Sequence, residues 1–223
     1  MKHNEKEIQL LKDEINQMWR LVISQMEKAK QAFLNNDAEL ALEIISLEKR
    51  VNAFELKIES NCENYIALYS PVAIDLRLVL SIMKISIALE RIADYADGIA
   101  HHVIDRDCDS LDHKVIEELE LERMFDILLN MMTDSYAAIN AENTASSGKI
   151  LARDAEVDDI YEMAFSRLGE ILKNHPDQIP CGLKLILLIR KMERIGDHCS
   201  NIVEDIVFYI EARVLKHSGD RAE

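Results

Sequence analysis

The chain has 223 residues and carries 26 Lys and Arg against 41 Asp and Glu, a formal charge of −15. So acidic a surface argues against nucleic acid or anionic lipid as the main partner and suits cations or a basic protein surface. Only six Gly and three Pro occur, which is low against ordinary usage, so turns are few, elements are long and the composition is all-α.

The elements follow in order. Ile8, Leu11, Ile15, Met18, Val22 and Met26 keep helical spacing and predict a first helix over 5–35. Asn35-Asn36-Asp37 predicts a tight turn with a cap, followed by a second helix over 38–68. Ser70-Pro71 reads as a helix start, with Ser as N-cap and Pro at the first helical position, for a third helix running to 104. The polar stretch 105–112 (DRDCDSLD) is the expected boundary between halves, giving domains over 1–107 and 108–217. A fourth helix is predicted over 114–141, a fifth over 149–173 and a sixth over 182–216, with breaks at 143–148 and 174–180. The tail 218–223 is expected to be disordered.

Each half thus holds three long helices, and the halves match in sequence. Glu90-Arg91-Ile92-Ala93-Asp94 recurs as Glu193-Arg194-Ile195-Gly196-Asp197, and LEKRVNAFE from Leu47 is matched with ARDAEVDDIY from Ala152. This internal duplication predicts an all-α fold of two pseudo-symmetric antiparallel three-helix bundles.

Cys62, Cys108, Cys181 and Cys199 are scattered without a CxxC pair, so no zinc or disulfide framework is expected. The N-terminus is polar from the start, which predicts no signal peptide. The longest apolar run, 185–189, is far too short for a bilayer. A soluble, cytoplasmic protein is the expectation.

The chemistry lies in rows of carboxylates. At about 100° per residue, Glu193, Asp197, Ser200 and Glu204 share roughly 60° of a helix whose other sides are apolar. In the third helix Glu90, Asp94, Asp97 and His101 form a similar stripe. Asp154 and Asp158 stand one turn apart in the fifth helix, and Glu48, Asn52 and Glu55 take the equivalent places in the second. Packing the second helix on the third, and the fifth on the sixth, brings acids together. Like charges at that range do not all stay ionised without a counter-charge. Oxygen donors favour Mg²⁺, Ca²⁺, Mn²⁺ or iron, and zinc would draw on His101 or His198. Arg91, Arg190 and Arg194 are alternative counter-charges within the chain. No nucleophile–base arrangement, Gly-rich phosphate loop or Glu-x-x-His pair accompanies the stripes, so catalysis is not expected. The competing enzymatic reading, a helical-bundle metalloenzyme, would need an open metal position.

The duplicated ERIxD element, together with PVAIDLR from Pro71 to Arg77, resembles the PhoU family of phosphate-uptake regulators. The resemblance spans 5–215, with ERIADYADGIA close to the first family signature and ERIGDHCSNIVE to the second. It implies paired three-helix bundles, often dimeric, and multinuclear clusters of iron or zinc held by E/D-x-x-x-D motifs. The matching positions are Glu90 and Asp94 in the first half and Asp154, Asp158, Glu193 and Asp197 in the second. Glu48 begins a fourth motif in which Asn52 replaces the second acid, and the ending EARVLKHSGD departs from the family's Gly-containing one. By the same resemblance the protein is a non-enzymatic cytoplasmic regulator. It would link the ATPase subunit of the phosphate ABC transporter to a sensor histidine kinase and repress the phosphate-starvation response. Membrane contact would come only through those partners. A PhoU-like regulator of a different transporter is the nearest alternative.

Overall fold

The computed structural model describes residues 2–105 and 113–215. Seven α-helices are present among them: α1 (Lys2–Asn35), α2 (Ala38–Tyr69), α3 (Ala73–Ile104), α4 (His113–Glu118), α5 (Leu121–Asn140), α6 (Ser147–Asn174) and α7 (Ile179–Glu211). A single 3₁₀ turn, Pro176–Gln178, leads into α7. The expected all-α pair of three-helix bundles is found, α1–α3 in one half and α5–α7 in the other. Most of the boundary stretch and Cys108 lie outside the described residues, as does the tail from 216.

Local chemistry accounts for the turns. Asn36 takes φ 52, and the Asp37 side chain accepts from the Leu40 amide at 3.0 Å, capping α2. After α6, Pro176 and Pro180 stand where a missing N–H costs nothing, at the starts of the 3₁₀ turn and of α7. Three expectations are corrected. Ser70 is not the N-cap of α3; it closes α2 in the left-handed region (φ 45) with its N–H on the Ile66 carbonyl, and α3 begins only after the turn, at Ala73. The helix expected over 114–141 is broken, because Glu120 sits at φ 56. Arg123 and Arg167 hold the Glu120 carboxylate at 2.8 and 2.9 Å, and Arg167 also donates to the Glu118 carbonyl at 2.6 Å, so two cations pin a kink that helix propensity alone would erase. Finally, α7 starts at Ile179 and stops at Glu211, where Ala212 turns left-handed.

The two halves share one apolar core rather than two. Trp19 of α1 is fully buried, donates Nε1 to the Met132 carbonyl of α5 at 3.3 Å and meets the Tyr136 ring edge-on at 5.7 Å. Phe33 of α1 meets Phe125 of α5 at the same ring separation, 5.7 Å. The second joint is α3 against α7. Arg77 donates to the Tyr209 carbonyl (3.1 Å), Ser81 to the Asp205 carbonyl (3.0 Å), and Lys184 reaches Asp105 (2.6 Å). Residues rising along α3 pair with residues falling along α7, so the helices run antiparallel. Where the repeats ERIADY and ERIGDH meet, their equivalent Tyr95 and His198 rings lie 5.9 Å apart.

Cys62 and Cys199 are free thiols, and Cys181 is buried as they are. Burial, aided by Glu14, pushes the Cys62 thiol up to about 12, and burial likewise raises Cys199, so both act as small apolar groups. No helix among the described residues is long and apolar enough to cross a membrane.

Candidate metal-binding seams

Each bundle exposes one seam where an outer helix meets α3 or α7. In the first, α2 brings Glu48, Asn52 and Glu55 to α3, which carries Glu90, Asp94 and Asp97 at the helical spacing that the sequence shows. These groups are half-buried at the rim rather than sealed in the core. Glu90 is the most enclosed: burial, then the Asp94 charge, pushes its carboxyl up to about 7 against the pull of Arg91. Burial also raises Asp97, helped by Glu48 and Asp94 and opposed by His101 and Lys191. Glu55 is raised by burial and by Glu59. The neutralising contacts are thin. Arg91 lies 3.5 Å from Glu90 and 3.2 Å from Asp94, His101 lies 3.4 Å from Asp97, and Asn52 reaches Glu48 only at 3.5 Å. Three oxygens, Asn52 Oδ1, Glu90 Oε2 and Asp97 Oδ1, are buried without a hydrogen bond.

The second seam joins α6 to α7 and is closed differently. Ser200, fully buried, donates to Asp154 Oδ2 at 2.7 Å. Gly196 makes this possible, because a Cβ there would stand 2.6 Å from Asp154 Oδ1. The repeat position in the first half is Ala93. Burial raises the Glu193 carboxyl, with Asp197 and Asp158 adding to it and Arg194 and Arg190 opposing. Arg194 holds Asp197 at 2.9 Å. Of the predicted acids, Asp158 is exposed on α6 but near enough to Glu193 to raise it, while Asp154 turns to Ser200. His101 stands beside Asp97, whereas His198 is turned across α3 onto Tyr95, with its ring driven toward the neutral form by burial and Arg194. Tyr95 and Gly196 were missed from the sequence; the Ala-to-Gly change between repeats was the available signal for the second.

Both donor sets suit a hard cation, and the bare buried oxygens of the first seam lack the partner that one would provide. Among the described residues, no three His, Cys, Asp or Glu side chains are grouped closely enough to hold a metal ion as they stand. Coordination at either seam therefore calls for side-chain rotation, with Arg91 and Arg194 giving up their hold on Asp94 and Asp197.

Comparison with known proteins agrees with the two-bundle fold. The family model for the PhoU domain matches twice, over residues 15–103 and 121–206, one match to each bundle. The phosphate-specific transport system accessory protein PhoU of Edwardsiella tarda is 32% identical over 96% of this chain and 86% of its own length. Its counterpart in Escherichia coli (strain K12) is 30% identical over 96% and 87%. Among solved structures, PhoU from Pseudomonas aeruginosa superposes with a TM-score of 0.87 at 26% identity, covering 94% of this chain and 99% of that one. The phosphate transport system regulatory protein PhoU from Streptococcus pneumoniae gives 0.82 at 27%, covering 96% and 99%. With both repeats matched and relatives aligned over nearly the whole length, the chain belongs to the PhoU family.

Proposed function

We propose that this protein is a non-enzymatic, cytoplasmic regulator of phosphate uptake. It acts as a homodimer and connects the ATPase subunit of a phosphate ABC transporter to a sensor histidine kinase, repressing the phosphate-starvation response when phosphate is plentiful. The observation that carries this reading is end-to-end similarity to phosphate-transport accessory proteins, 96% of this chain being aligned. The long helical faces and net acidity suit a protein that acts by docking on others.

Metal ions, iron or zinc by family resemblance with Mg, Mn or Ca as alternatives, belong on the seams in this reading. Asp154, Asp158, Glu193 and Asp197 would hold ions on the second seam, and Glu90 and Asp94 with Glu48 on the first. A bound cation would supply positive charge that lets neighbouring carboxylates stay ionised together. The chain's own residues do the rest. Ser200 fixes Asp154 in place, Gly196 sets the spacing of α6 from α7, and Arg91 and Arg194 balance one acid on each seam.

The test has two arms. Deletion of the gene should leave phosphate-regulated genes expressed at high phosphate, and pull-down with the purified protein should retain the ATPase subunit. Unchanged phosphate regulation in the deletion strain overturns the regulator reading. Elemental analysis of the purified protein decides the metal, and full removal without any change in melting would assign neutralisation to the arginines.

A further inference from the structure

The turn between α2 and α3 is the part of PVAIDLR that the seams leave unused. Ser70 and Ala73 both take left-handed backbone, φ 45 and φ 50, and neither is Gly. Each such residue is strained, because its Cβ crowds the following carbonyl oxygen. Strain of this kind persists where the surroundings impose it, often at functional positions. Here it holds Val72 and Ile74 out in solvent, 74% and 48% exposed. Leu68, just before the turn, is 76% exposed, and Leu10 of α1, close by, is 52% exposed. A groove of about 480 Å³ opens between α1 and α2 beside them, lined in part by Leu10, Leu11, Tyr65, Leu68, Glu7 and Glu14.

The charged groups lining the groove are acids, with Lys57 balancing one of them. Glu7 and Glu14 line the groove, and Glu14 is held there by Lys57 at 3.0 Å and Asn61 at 2.8 Å. Asp75 opens α3 nearby, close enough to act on the Tyr65 hydroxyl. α2 ends here with its carbonyls forward and no basic residue in its last turn, so the negative end of its dipole is bare. Arg77, the cation of the motif, is turned away onto the Tyr209 carbonyl. Anionic lipid and nucleic acid are repelled by such a rim. A second copy of this chain, with net charge −15, would set acid against acid across a twofold interface. What complements the tip is a helix with an apolar face and basic flanks.

We propose that this tip is a docking surface for a basic amphipathic helical segment of a partner protein, anchored on Leu10, Leu68, Val72 and Ile74 with Lys or Arg toward Glu7. Which protein carries the segment rests on the regulator reading above; the surface itself does not.

The experiment is fluorescence anisotropy with a labelled Leu/Lys amphipathic peptide of about five helical turns, with a Leu/Glu peptide of the same pattern as control. Leu68→Asp/Val72→Asp is compared with Leu42→Asp/Leu56→Asp, a pair also exposed on α2 (59% and 64%) that adds the same charge elsewhere. The tip pair should weaken Leu/Lys binding by about tenfold or more, and the control pair by less than about twofold. Glu7→Lys, which removes no apolar contact, should weaken it too, more at low salt than at high. Equal losses in the two Asp pairs, or Leu/Glu binding as tight as Leu/Lys, overturns the proposal. So does self-association of the wild type that the tip pair abolishes, since the occupant would then be a second copy. The same variants are then tested against the purified transporter ATPase subunit. Loss of that complex in the tip pair alone supports the tip as its contact, and full retention overturns it. If the wild type fails to bind the ATPase subunit while the peptide result stands, the tip is supported and the regulator reading fails.

Discussion

Gly196→Ala isolates the contact that sets the second seam. The added Cβ would lie 2.6 Å from Asp154 Oδ1, 3.4 Å from Val157 Cγ1 and 3.6 Å from Leu128 Cδ2. The first distance is far inside van der Waals contact, and Asp154 is a short side chain already tied to Ser200 at 2.7 Å. Relief requires the carboxylate to leave that bond. A hydrogen bond to a charged group contributes about 1.5–3 kcal/mol. Against this, Ala gains about 1 kcal/mol over Gly in a helix interior. The net expectation is a loss of about 1–2 kcal/mol, or about 2–8 °C in Tm for a protein of this size. Gly169→Ala is the matched control, because nothing lies within 4 Å of its Cβ position on exposed α6 surface; it should gain up to about 1 kcal/mol. In an Asp154→Ala background, Gly196→Ala should lose most of its penalty, giving a coupling energy in urea or thermal melts. If Gly196→Ala stabilises the wild type as much as Gly169→Ala does, the close approach of α6 and α7 does not constrain this position and the reasoning is wrong.

Other expectations follow from the same geometry. Glu120→Ala removes the carboxylate that Arg123 and Arg167 share while keeping a left-handed non-Gly residue, so it should cost about 1 kcal/mol more than Glu120→Gly in denaturant melts. Glu90 has its carboxyl raised from 4.5 to about 7, so the folded state binds the proton more tightly than the unfolded chain. Its contribution is therefore most favourable at low pH and is lost as pH rises from about 4.5 to about 7, by at most about 3 kcal/mol. Glu90→Gln should flatten that part of the stability–pH curve and melt higher than wild type at pH 8 without added metal; an unchanged curve would refute the assignment. Divalent metal should raise the Tm of metal-free protein, and Asp197→Ala or EDTA should remove the gain at the second seam, read by differential scanning calorimetry. Ile92→Ala empties a fully buried site in the shared core and should cost about 2–5 kcal/mol by urea melt, with both halves lost in one transition.

Much of the architecture was legible in the residues. Scarce Gly and Pro, sustained helical periodicity and the repeated ERIxD element specify all-α halves, because a helix is built from contacts within four residues and an apolar stripe states which side it buries. The same locality put Glu90 with Asp94, and Glu193 with Asp197, on common faces. Glu120 and Ser70 escaped it. A left-handed residue that is not Gly carries no local signature, and Glu120 keeps its conformation through Arg167, far along the chain.

The carboxylate rows, the duplication and the family they point to were thus determined by the sequence alone. What only the tertiary structure decided is what each acid faces. Ser200 turns inward onto Asp154, and Arg91 and Arg194 fold back on acids of their own helices. Periodicity gives the direction of a side chain from its own axis. The distance and register between two axes, which set whether an oxygen meets a hydroxyl, a guanidinium or nothing, come from core packing summed over the whole molecule.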